Sequence, residues 1–117
     1  MIKLQRGTAE IFVPDGRPVM AALARTTHMA IGAHPDDLEV MAIDGILCCF
    51  HQKDKWFTGV VVTDGSGAPR DGLYQGDTDA AMRRVRGQEQ KKAALVGEYA
   101  AQVLLDYPSA AAKGRAN

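Results

Sequence analysis

The sequence predicts an α/β fold built on a mostly parallel sheet, and three observations predict it. Strand-like apolar runs at 28–33, 56–63 and 101–105 alternate with runs of helical composition at about 38–52 and 79–96. The first of these strand runs shows no polar alternation through Met29-Ala30-Ile31, as expected of a strand buried on both faces. A polar cluster, His34-Pro35-Asp36-Asp37-Leu38-Glu39, stands where that strand ends and a helix begins. In an α/β protein a ligand site is expected at such a junction.

Length and composition set the bounds. The chain has 117 residues, 46% of them hydrophobic and 24% charged, which describes one small globular domain. Fourteen basic and fourteen acidic residues cancel. That balance argues against a nucleic-acid partner, because neutralising phosphates needs a basic excess. No run of 18 apolar residues and no leader pattern at Met1 is present, so the expectation is a cytoplasmic protein with no membrane partner. Cys48 and Cys49 are adjacent, a poor geometry for a disulfide and no metal knuckle, and are read as small buried hydrophobes of a helix.

Taken in order, residues 1–27 form an N-terminal arm. A short strand is expected at 9–13, closed by the turn Pro14-Asp15-Gly16. Pro18 suits the first position of a helix through 19–24. The first core strand spans 28–33, and one helix is expected from about Leu38 to Gln52. The second strand, 56–63, is β-branched in its C-terminal half and ends in Thr63-Asp64-Gly65-Ser66-Gly67. Residues 68–79 read as a long Gly- and Asp-rich loop, a binding loop or lid by length. Thr78 or Asp79 caps a helix running to about Val96, with Gly97 as its C-cap. A third strand at 101–105 turns away at Tyr107-Pro108-Ser109, and 110–117 is a small, polar tail.

The chemistry sits at His34-Pro35-Asp36-Asp37. Pro35 fixes its own φ and pushes His34 towards an extended conformation, so the imidazole leaves the strand end in one direction. Asp36 and Asp37 fall in the first helical turn, where free backbone N–H groups and the helix dipole favour negative charge. Successive helical side chains diverge by about 100°, so one aspartate can face a metal with His34 while the other faces water or substrate. An imidazole with a carboxylate is a ligand pair for a divalent ion such as zinc, and the remaining carboxylate is placed to take a proton. The competing reading is that both aspartates only cap the helix. Magnesium beside a phosphoacceptor fits less well, because magnesium prefers all-oxygen ligands and His34 is built in. No Gly-x-Gly-x-x-Gly follows any strand, which removes support for dinucleotide binding.

Ala33-His34-Pro35-Asp36-Asp37-Leu38-Glu39 resembles the signature of the LmbE/PIG-L family of zinc-dependent de-N-acetylases, which act on N-acetylglucosamine-type substrates. Thr63-Asp64-Gly65 resembles a loop of that family, and Arg86-Gly87-Gln88-Glu89 its Arg-x-x-Glu. The resemblance implies a Rossmann-like three-layer α/β/α fold. It further implies Zn2+ as cofactor, His34 and Asp37 as its ligands and Asp36 as general base. Arg86 becomes a substrate contact, with a surface arginine as the alternative. Asp64 lies behind the ligands or on the substrate, with a plain turn aspartate as the alternative. The implied partner is a small N-acetylated sugar, and a homo-oligomer is expected. Asp44 departs from the Gly-Gly pair common in the family, of which only Gly45 matches.

The resemblance covers about residues 28–109, the first half of the family's usual length. The expectation is therefore a truncated form, with a sheet edge left unpaired. The family's third zinc ligand, a histidine of its second half, has no counterpart here. His28 opens the strand at the far edge, and His51 lies roughly 20 Å along the expected helix at about 1.5 Å per residue. Catalytic zinc usually keeps three protein ligands, so a non-catalytic α/β module is the alternative function.

Overall fold

The computed structural model describes residues 4–34, 37–64 and 79–107. The elements are β1 (Glu10–Phe12), α1 (Val19–Ala24), β2 (His28–Gly32), α2 (Asp37–Met41), α3 (Ile43–Cys49), β3 (Phe57–Thr63), α4 (Asp79–Val96) and β4 (Ala101–Tyr107). One four-stranded sheet runs in the order β1-β4-β3-β2. β2, β3 and β4 are parallel, and β1 adds antiparallel to β4. The mostly parallel α/β architecture predicted from the alternation of runs is therefore observed. Among the described residues no helix is long and apolar enough to cross a membrane.

Helices lie on both faces. Ile46 of α3, Ala94 of α4 and Tyr99 pack with Phe57 of β3, and Ala30 of β2 and Phe12 of β1 join them. The Tyr99 ring meets Phe57 edge-on, with centroids 4.8 Å apart. Thr58 points to the opposite face, because successive strand residues alternate. There its hydroxyl lies 2.6 Å from that of Thr26, just beyond α1, and α1 itself rests on β4 with Ala22 fully buried. The arm thus supplies both an edge strand and a small third layer.

Three local expectations change. β2 is not buried on both faces: it is an outer strand, and Met29 and Ile31 are 61% and 62% exposed. α1 is only six residues long and lies over β4, so it leaves that side of β2 uncovered. The helix expected from Leu38 to Gln52 is divided into α2 and α3 at Ala42, whose φ of −116° and ψ of 21° leave the helical region. The offset lets Leu38 and Ile46 both be buried. At the end of α4 the left-handed residue is Glu98 (φ 59°), not Gly97. The Tyr99 N–H reaches back to the Ala94 carbonyl at 3.0 Å and the Glu98 N–H to Leu95 at 3.3 Å, a Schellman turn. Gly97 is needed for space instead, since a Cβ there would stand 2.6 Å from Tyr99 Cε1.

Candidate functional site

The parallel pairing of β2 and β3 brings two predicted positions to one edge. The Thr63 N–H donates to the Ala33 carbonyl at 2.9 Å, so the next residues, His34 and Asp64, leave the sheet at neighbouring strand ends. Asp64 is only 8% exposed, and its own N–H is held by the Tyr107 carbonyl at 2.8 Å. It is thus fixed between the C-terminal ends of all three parallel strands, which is where α/β sheets bind ligands.

The turn into α2 is short because Gly32 allows it. A Cβ on Gly32 would sit 3.1 Å from Asp37 Cβ and 3.3 Å from Leu38 Cδ2. On β3, a Cβ on Gly59 would meet Leu38 Cδ1 at 2.6 Å. The two glycines together make the seat for α2, and Leu38 fills it at 1% exposure.

Asp37 is the first residue of α2, and it closes a reciprocal pair of bonds with His34. Its Oδ2 accepts the His34 N–H at 3.1 Å, and its own N–H donates to the His34 carbonyl at 3.2 Å. The same Oδ2 lies 3.7 Å from His34 Nδ1, with both side chains partly exposed (44% and 36%). Two ligands on a tetrahedral zinc with bonds of about 2.0–2.1 Å are about 3.4 Å apart. The His34–Asp37 pair therefore fits one ion with a small adjustment. Among the described residues no group of three His, Cys, Asp or Glu side chains converges. His28 is engaged at the other end of β2, with Thr27 Oγ1 2.8 Å from its Nδ1. His51 follows α3 and pairs with Glu98 at 3.2 Å. Asp36, read as the general base, lies outside the described residues, as do Pro35 and the 65–78 loop.

Arg86 lies on α4, with Nη1 donating to Glu89 Oε1 at 3.0 Å and 20% of its side chain exposed. Gln90, one turn later on the same helix stripe, reaches the Glu39 carboxylate. α4 connects β3 to the parallel β4, so its N-terminal half lies towards the edge where His34 and Asp64 emerge. Arg86 is therefore one turn nearer to that edge than Gln90.

Sequence reasoning missed a buried polar relay beneath the motif. Glu39 Oε2 accepts the Tyr99 hydroxyl, and Gln90 Nε2 donates to both Glu39 oxygens at 3.3 and 3.2 Å. Gln90 also donates to Gln102 Oε1 at 3.4 Å, and Gln102 Nε2 to the Gly59 carbonyl at 3.2 Å. Gln90 and Gln102 are fully buried, and Tyr99 nearly so. Burial, then its hydrogen bond to Glu39 and that carboxylate's charge, push the Tyr99 phenol well above its ordinary pKa, so it stays a donor. The available signal was Gln102, an uncharged polar residue inside the otherwise apolar run 101–105.

A family model described as PIG-L, GlcNAc-PI de-N-acetylase, matches residues 29–115. No curated protein and no solved structure matches the chain.

Proposed function

Since the chain belongs to the PIG-L (GlcNAc-PI de-N-acetylase) family, we propose that it is a metal-dependent hydrolase that removes an acetyl group from the nitrogen of an amino sugar. The observation that supports this most is the His34–Asp37 pair, whose donor spacing suits one zinc ion at the C-terminal edge of the parallel strands. Zinc supplies Lewis acidity when bound, acidifying water and polarising an acyl oxygen. His34 and Asp37 hold the ion. Asp36 accepts the proton of the attacking water as its oxygen adds to the acetyl carbon. The C–N bond then breaks, the proton passes to the departing nitrogen, and acetate and a free amine result. The guanidinium of Arg86 suits sugar hydroxyls or a phosphate, and Asp64 borders the same edge.

The test is zinc content and acetate release from N-acetylglucosaminyl substrates, free and inositol-phospholipid-linked. One bound zinc, lost in His34→Ala, is expected. Asp36→Asn should keep the metal and lose about 10²–10⁴-fold in kcat, the usual contribution of a general base. A chain that folds but neither binds zinc nor releases acetate would be a non-catalytic member of the family. The described residues bring together only two of the usual three protein ligands, which is the observation favouring that second reading.

A further inference from the structure

Helix α2 has five residues, too few to hold its own conformation in water. Its first residue is Asp37, so the position of that carboxylate depends on whatever anchors α2 to the rest of the molecule. Besides the reciprocal bonds of Asp37 with His34, two anchors are visible. One is steric: Leu38 seated on Gly32 and Gly59. The other is polar and more directional. The Glu39 carboxylate is gripped by the Tyr99 hydroxyl and by Gln90 Nε2, and this grip continues through Gln102 to the backbone of Gly59 and, at 3.4 Å, Val103.

The members of this relay come from α2, α4, the turn before β4, β4 itself and β3. An apolar seat permits sliding and rotation. Hydrogen bonds to a carboxylate fix its place along the helix axis and its angle about it. Glu39 follows Asp37 by two residues, so about 200° of helical rotation separates them. The carboxylate directed into the molecule thus sets the direction of the one that meets His34. Removing the Gln90 amide also takes the donor from the buried Gln102 Oε1, which loosens the helix further.

We infer that Glu39, Tyr99 and Gln90 are positioning residues: by clamping α2 from beneath, they hold the Asp37 carboxylate against His34. The relay itself is independent of any metal, but its consequence for zinc rests on the function proposed above.

The experiment compares the wild-type chain with Tyr99→Phe, Glu39→Leu, Glu39→Gln and the core control Ile46→Val. Amide hydrogen exchange is measured on the metal-free proteins, and zinc affinity by competition with a chromophoric chelator. Tyr99→Phe keeps the ring against Phe57 and removes only the donor. It and Glu39→Leu should speed exchange at the Asp37 and Ala42 amides, bonded to the His34 and Leu38 carbonyls, relative to the rest of the chain. Both should raise the zinc Kd about tenfold, as loss of a group that orients a ligand does. Glu39→Gln, which keeps an acceptor for the tyrosine, should recover part of both effects, and Ile46→Val should show neither. The inference is overturned if exchange in the two variants is unchanged, or rises evenly over the chain as in the control. It is also overturned if exchange rises locally while zinc binding, present in the wild type, stays the same. If the wild-type chain binds no zinc, the metal reading fails, and local exchange alone decides whether the clamp exists.

Discussion

Asp37 and His34 hold each other twice over: the carboxylate of one takes the backbone N–H of the other, and the N–H of the first returns to the carbonyl of the second. Nothing in this arrangement consumes the imidazole, and Asp37 Oδ2 remains 3.7 Å from His34 Nδ1. One carboxylate thereby shapes the turn and lies beside the ring, with both side chains partly exposed.

Asp37 should accordingly show separable roles. Asp37→Asn keeps an acceptor for the His34 N–H and should change folding stability by less than about 0.5 kcal/mol. It should still lose zinc, because a neutral amide is a poor ligand. Asp37→Ala removes the bond as well and should cost about 1 kcal/mol. Urea unfolding beside metal analysis separates the two, and equal stability of both variants would deny the carboxylate its structural part.

The seat of α2 should be the most sensitive apolar contact. Leu38→Ala should cost roughly 2–5 kcal/mol, the range for emptying a packed core site. Gly59→Ala should cost roughly 1–3 kcal/mol, since the new Cβ meets Leu38 Cδ1 at 2.6 Å and Gln102 Oε1 at 2.9 Å. Ile31→Ala, on the open side of β2, should cost less than about 0.5 kcal/mol. A large loss at Ile31 in urea melts would show that its side of the sheet is covered in solution.

Docking of the N-terminal arm should depend on acid. Partial burial raises the Asp15 pKa, but the Arg25 hydrogen bond, the Arg17 N–H and both positive charges outweigh it and leave it below its ordinary value. A carboxylate with a depressed folded pKa adds stability that is fully present above its unfolded pKa and is lost as pH falls through the folded one. Asp15→Asn should therefore be slightly less stable than wild type at pH 7, by under about 1 kcal/mol for so exposed a pair. The gap should close as pH falls below about 3.9. Arg25 lies 3.7 Å over the Trp56 ring, so fluorescence of this single tryptophan reports the change.

The adjacent cysteines should differ in reactivity. Cys48 is exposed and Cys49 buried, and burial raises the Cys49 pKa. One thiol should react with a disulfide reagent in the native protein and the second only on unfolding. The sequence expectation of two buried hydrophobes holds for Cys49 alone, because α3 presents only one of two neighbours to the core.

The two strand ends that carry the candidate site were legible in the sequence. The step from apolar strand to His34-Pro35-Asp36-Asp37 marks a strand end, and the Thr63-Asp64 step marks the next. Parallel pairing brought His34 and Asp64 side by side. The placement of β1 against β4 was not legible, because nothing within 9–13 names its partner. The Glu39 relay was equally hidden: it joins residues 51 and 60 positions apart.

By itself the sequence determined the order of strands and helices, through residue type and spacing within a few positions, and its motif resembled that of a known family, a resemblance that singled out Asp37 as the partner of His34. The tertiary structure alone decided that β2 is an outer strand with Met29 and Ile31 in the open, that one expected helix divides at Ala42, and that Glu39 is anchored from beneath. Periodicity shows which residues share a face. Whether anything covers that face depends on elements far away in the chain, and burial is settled only when they meet.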